Sequence, residues 1–213
     1  RRGKRYLSKG NYNICRIEYI LKIFPDAKFI IPFRDPIWHI ASLMKQHKLF
    51  CDIELHNKKA LDYMRQVGHF EFGLNRKPIN FGDTEKVLQI EKDWQVENDI
   101  KAWSQYWNDV YSYLLKVFHD LELDGGHLNI FFVDFDQLCI FPYETLQQVY
   151  DFANIDHMHW QLDKQSKDIS APEYYSPDFS KGELSFIKRE TSTTYAELQS
   201  LFLKQNSSAF HSR

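Results

Sequence analysis

Arg34 stands at the end of a short apolar run, Lys28-Phe29-Ile30-Ile31-Pro32-Phe33, and Asp35-Pro36 follows it. Asp as a cap and Pro at the first helical position are the residue types that open a helix. A strand ending in Arg and turning into a helix sets a fixed positive charge beside free N–H groups and a positive dipole end. Ser42 lies eight residues after Arg34 on the expected helix. Helical side chains lean toward the N-terminus, so its hydroxyl leans back toward Arg34. Guanidinium, hydroxyl and helix end can converge on one doubly charged phosphate, and the planar fork of Arg suits phosphate oxygens better than Lys does. The alternative is an Arg34 paired with Asp35 or another carboxylate, and a Ser42 that is only a small helix residue.

A second cluster is Gly68-His69-Phe70-Glu71-Phe72-Gly73. In an extended segment His69 and Glu71 share one side and the two Phe the other. Flanking glycines let the backbone approach a ligand closely. His69 and Glu71 are therefore candidates for acid–base chemistry, against a loop anchored by two buried Phe. His39 and His47 are further candidate bases, although a lone His on a helix is more often structural or solvated. Asp134 and Asp136, after Phe132-Val133, are placed as a kinase-like enzyme would need its Mg²⁺ ligands.

Several elements must position these residues. A helix is expected from a cap at Asn13 to about Phe24, with Ile14, Ile17, Leu21 and Phe24 at helical spacing. Lys28 to Phe33 is expected as a buried strand, with a bulge or early end at Pro32 because proline cannot donate to a ladder. The helix opened by Asp35-Pro36 has an apolar stripe of Ile37, Ile40, Ala41 and Met44. Another helix is expected over about Ile53 to Val67, then a long loop from Gly68 to Asp93. Ile100, Trp103, Trp107, Val110, Leu114 and Val117 mark the buried face of a helix from about Val96 to His119. The aromatic crowd on that helix, with Tyr106, Tyr111 and Tyr113, is expected in the core. Gly125-Gly126 reads as a turn, Asn129 to Val133 as a second strand, and Pro142 to Phe152 as a helix. Residues 156–180 read as irregular, and a last helix covers about Lys181 to Leu203. A further strand is expected at Arg5–Ser8. This alternation points to an α/β domain with a mainly parallel sheet. One domain over 1–204 with a frayed tail at 205–213 is the expected organisation.

Composition bounds the partners. Lys and Arg number 27 against 29 Asp and Glu, a formal charge of −2, which argues against general binding of nucleic acid or of an anionic membrane. No apolar run is long enough to span a bilayer. Cys15, Cys51 and Cys139 are widely spaced, without a CxxC pair, which fits a reducing, cytoplasmic setting and no zinc site.

The run Phe24-Pro25-Asp26-Ala27-Lys28-Phe29-Ile30-Ile31-Pro32-Phe33-Arg34-Asp35-Pro36, with Ser42, resembles the 3′-phosphate-binding segment of sulfotransferases, closest to bacterial sulfotransferase-like proteins. Phe132-Val133-Asp134-Phe135-Asp136-Gln137-Leu138 through Pro142-Tyr143-Glu144-Thr145-Leu146 is consistent with it. The resemblance implies a P-loop-NTPase-like three-layer α/β/α fold and a 3′-phosphoadenosine-5′-phosphosulfate co-substrate whose 3′-phosphate is held by Arg34 and Ser42. It implies transfer of sulfonate, without a metal, to a hydroxyl or amine of a small-molecule or glycan acceptor. Ser180-Lys181-Gly182 resembles the family's Arg-Lys-Gly loop at the 3′-phosphate, with Ser180 in place of the Arg, which makes Lys181 and Gly182 cofactor-binding candidates. Leu7-Ser8-Lys9-Gly10-Asn11 resembles the strand end carrying a Lys and, two residues later, the catalytic His. Lys9 matches the Lys, but Asn11 stands where the His belongs and cannot act as a base. The family's strand-loop-helix that wraps the 5′-phosphosulfate has no match here, so half a nucleotide site is expected, with an N-terminal piece missing. The acceptor pocket is expected from loops 68–93 and 156–180. The rivals are another P-loop-related transferase or kinase, and a non-catalytic truncated paralogue or binding domain.

Overall fold

The computed structural model describes residues 5–123, 129–172 and 176–209. A 3₁₀ turn (Asn11–Arg16) runs into α1 (Ile17–Ile23), and β1 (Phe29–Phe33) follows. α2 (Pro36–His56), α3 (Lys58–Gln66), α4 (Thr84–Gln95) and α5 (Asp99–Leu123) then precede β2 (Ile130–Asp134). α6 (Phe135–Ile140), α7 (Pro142–Phe152), α8 (His159–Ser166) and α9 (Lys181–Ala209) complete the order. The expected mixture of helix and parallel sheet is present, weighted heavily toward helix. The expected turn at Gly125-Gly126 lies outside the described residues.

β1 and β2 are parallel and in register from Phe29↔Ile130 to Phe33↔Asp134. Pro32 pairs with Val133 without the expected bulge or early end. The reason is parity. Phe29 donates to Asn129 O, so in a parallel ladder Phe29, Ile31 and Phe33 turn their N–H groups toward β2. Pro32 falls on the opposite parity, and its missing N–H costs no ladder bond. Its carbonyl accepts from Tyr111 O–H at 3.0 Å.

The far edge of β2 is closed by a side chain. Gln205 donates to Ile130 O at 2.9 Å and accepts from Phe132 N–H at 3.1 Å, as a neighbouring strand would. The tail expected to fray from residue 205 is thus helix through Ala209. The strand expected at Arg5–Ser8 does not form; residues 5–10 are in neither helix nor ladder. Arg5 instead ties this stretch to the end of α7 through Ala153 O and Asn154 O, and Tyr6 and Leu7 are left exposed.

α5 is the spine of the core. Trp103, Trp107, Leu114, Val117 and Phe118 are each at most 2% exposed, which confirms the aromatic helix as core. α2, α4 and α9 pack on it. Three expectations need correction. Asn13 does not cap a helix, because the turn from Asn11 is 3₁₀ and starts after Gly10. Asn57, accepting from Lys59 and Ala60 N–H, separates α2 from α3 and divides the helix expected at 53–67. The expected loops at 68–93 and 156–180 contain α4 and α8, whose short amphipathic patterns were masked by charged residues.

Candidate functional site

Because Phe33 pairs with Asp134, both strands end side by side, and the residues that follow them meet. The Arg34 guanidinium lies 4.9 Å from the Phe135 ring and 5.2 Å from the Trp38 ring. Its Nε is 3.7 Å from Asp136 Oδ1, with 18% of the Arg side chain exposed. Among the described residues no hydrogen bond to the guanidinium is formed, and Nε is buried without a partner. The cation is therefore fixed by two rings and one loose ion pair, while its donors stay uncommitted. Sequence reasoning did not join Trp38, Phe135 or Asp136 to Arg34, although it named Asp136 as a candidate metal ligand; only the strand register brings the last two to Arg34.

Trp38 and Ser42 are four residues apart on α2 and so share one stripe, and the Trp38 ring meets the Arg34 guanidinium that precedes the helix. Ser42 is exposed. The helix end differs from expectation. Pro36 has no N–H, Ile37 and Trp38 N–H donate to Asp35 Oδ1, and His39 N–H donates to Asp35 O. The first turn of α2 thus offers an anion its dipole but no free N–H.

Asp134 caps α6 by accepting from Asp136 and Gln137 N–H. Burial raises the Asp134 carboxyl, and the Asp136 and Asp35 carboxylates add to this. Asp134 is committed to its cap and Asp136 faces Arg34, which leaves the acidic pair a poor Mg²⁺ seat. Among the described residues no group of three His, Cys, Asp or Glu is arranged to hold a metal. Lys181 and Gly182 form the first turn of α9, where Ser180 and Glu183 bond each other's backbone N–H. Phe179, just before, shares a cavity with Ala41, Met44 and Lys45, so α9 begins beside the turn of α2 that carries Ser42.

The His69–Glu71 pair is assembled from distant parts of the chain. His69 Nδ1 lies against Glu71 Oε2 without forming a hydrogen bond, and Asn11 Nδ2 donates to Glu71 Oε1 at 3.3 Å. Tyr12 O–H accepts from Phe70 N–H at 2.8 Å, and the Glu71 carboxylate lies close enough to act on its phenol. Burial raises the Tyr12 phenol, the Phe70 N–H opposes this and Glu71 supports it. Lys9, two residues before Asn11, is exposed.

The other histidines have structural partners. His39 Nδ1 accepts from Trp107 Nε1–H at 3.1 Å. Burial, then the nearby Arg34, lowers its pKa to about 4. His47 Nδ1 accepts from Gly73 N–H at 3.2 Å, and burial, followed by Arg76, lowers its pKa to about 4. Both are neutral acceptors at pH 7.

Two cavities meet at His47 and Cys51. One, of about 540 Å³, is lined by Gly73, Asn75, Arg76 and Lys77 from the 68–93 segment, and by Glu91 and Trp94. The other, of about 530 Å³, takes in Asp178 and Phe179 from the 156–180 segment. Both segments expected to build an acceptor pocket thus line cavities on one side of α2. Among the described residues no helix is long and apolar enough to cross a membrane. No family model matches the chain, and neither a curated protein nor a solved structure matches it.

Proposed function

We propose that this chain is part of a sulfotransferase that moves sulfonate from 3′-phosphoadenosine-5′-phosphosulfate to a hydroxyl or amine of a small-molecule or glycan acceptor. In this reading the fold is of the P-loop-like three-layer type, and Arg34 with Ser42 takes the 3′-phosphate. The observation that carries it is Arg34 itself. A guanidinium at the coincident C-terminal ends of two parallel strands is held in place by Trp38 and Phe135, yet none of its donors is hydrogen-bonded among the described residues. Ligands of open parallel sheets bind at that end of the strands. The three free cysteines are compatible with a reducing, cytoplasmic setting.

Asp136 favours a second reading. A carboxylate 3.7 Å from Arg34 is what a purely structural Arg would have, as in a non-catalytic paralogue. Titration with two nucleotides separates the two. Arg34→Ala weakens adenosine 3′,5′-bisphosphate binding by about 1.5–3 kcal/mol, the scale of a charge-assisted contact. Adenosine 5′-phosphosulfate, which lacks the 3′-phosphate, loses little. Equal losses for both, or no binding of either by the wild-type chain, count against the nucleotide site. A requirement for Mg²⁺ favours the kinase alternative.

A further inference from the structure

We propose that the cavity of about 540 Å³ beside α2 is a binding site for a small organic monocarboxylate, with Arg76 as the residue that takes its charge. The inference concerns this cavity alone. Arg34 and Ser42 are not among the described residues that line either cavity, so the site stands whether or not the chain takes a nucleotide.

Arg76 is a cation set among indoles. Its side chain is 12% exposed, and its guanidinium lies 4.5 Å from the Trp94 ring and 5.6 Å from the Trp103 ring. The two rings are 4.9 Å apart, and Trp94 and Trp103 are 7% and 1% exposed. Nη2 of Arg76 donates to Asp99 Oδ1 at 2.8 Å. Nη1 and the Nε1–H groups of both indoles are buried and make no hydrogen bond among the described residues. Three donors without an acceptor therefore lie in one cluster. Buried donors normally have partners, and leaving them unpaired costs stability that an incoming oxygen restores. Burial also works against the charge on Arg76, and Asp99 opposes this without cancelling it.

The same cluster is the partition between the two cavities. Arg76 and Trp94 line one, Asp99 and Trp103 line the other, and His47 and Cys51 belong to both. The three donors are covered, so the way to them is the bond between Arg76 and Asp99. Asp99 is 36% exposed in the first turn of α5, and it is the partner that yields. A ligand carboxylate in its place engages Nη1 and Nη2 together, the paired geometry that a planar guanidinium favours.

The lining also selects the kind of anion. Lys77 and Glu91 line the same cavity with opposite charges, and Asp99 stands behind Arg76, so the charges of the site balance. One negative charge can replace that of Asp99, whereas a phosphate dianion meets two nearby carboxylates. Leu74 and Trp94 offer apolar surface to a carbon body, and the volume suits a small organic ligand.

The probe is benzoate, with benzamide as its neutral counterpart and inorganic phosphate as the other anion. In ¹H–¹⁵N spectra of the wild-type chain, benzoate shifts the indole Nε1–H resonances of Trp94 and Trp103 in one saturable transition. Benzamide and phosphate bind about 10-fold more weakly or worse. Arg76→Gln lowers benzoate affinity by about 10-fold or more. Asp99→Asn keeps an acceptor for Nη2 but removes the competing charge, and it raises benzoate affinity by about 3-fold or more. A variant that only loosens the fold does not tighten binding, so this arm decides the matter if Arg76→Gln does not fold. No shift of either indole, benzamide or phosphate binding as tightly as benzoate, or no gain of affinity in Asp99→Asn overturns the proposal. The nucleotide titration of Arg34→Ala is read separately, and neither result decides the other.

Discussion

Gly73 shows how a single residue can fix a wall of the site. Its φ is +86°, a conformation that residues with a side chain adopt at a cost. A Cβ there would meet both carboxylate oxygens of Glu54, which is 5% exposed and accepts from Leu74 N–H at 2.6 Å. The Gly73 N–H also holds His47. Gly73→Ala therefore destabilises the chain by about 1–3 kcal/mol in urea titrations, through strain and the displaced Glu54. At Arg34 the balance is different. Two rings flank the cation, and its Nε, 3.7 Å from Asp136 Oδ1, makes no hydrogen bond among the described residues. The donor groups a ligand would use are thus not the ones that keep the side chain in place.

Among the elements, the sheet is the smallest and depends on its neighbours for satisfaction. β2 is buried along its whole length, so its outer edge cannot rely on water. The amide of Gln205 supplies one donor and one acceptor there. Gln205→Ala leaves Phe132 N–H and Ile130 C=O unpaired and costs about 1–3 kcal/mol, measured by chemical denaturation. Gln205→Glu keeps the acceptor, loses the donor, and falls between the two. α2 meets the candidate site at its start and at its middle, for different reasons. Its start is closed by Asp35, which removes the N–H groups an anion would seek, and its middle presents His47 and Cys51 to both cavities.

For the whole molecule, two partly buried histidines set the response to acid. His39 and His47 have folded pKa values of about 4, below the ordinary 6.5, mainly through burial. Between those values the unfolded chain binds protons that the folded chain refuses, so stability falls as pH drops from about 6.5 to 4. For His39 the loss reaches about 3 kcal/mol. His119 has the opposite sign. Its contact with Glu197 across α5 and α9 raises its pKa, so its contribution is complete below about 6.5 and fades as pH rises through the folded value. At 44% exposure that contribution stays below about 1 kcal/mol. Thermal melts therefore show a net acid limb. His39→Gln, which keeps an acceptor for Trp107 but does not titrate, flattens that limb; an unchanged acid limb contradicts the assignment.

What the sequence determined by itself is what short-range patterns control. The apolar run of β1, the Asp35-Pro36 start of α2, the aromatic face of α5 and the position of Arg34 at a strand end all depend on residues within a few places of one another. The tertiary structure decided the rest. Pro32 stays in register because of a parity that only pairing with β2 defines. Arg34 meets Phe135 and Asp136 because two strands about a hundred residues apart end together. Asn11 and Tyr12 reach Glu71 and His69 across about sixty residues, and Gln205 closes an edge more than seventy residues away. Such contacts arise from packing around α5, where buried polar groups must find partners wherever the chain brings them.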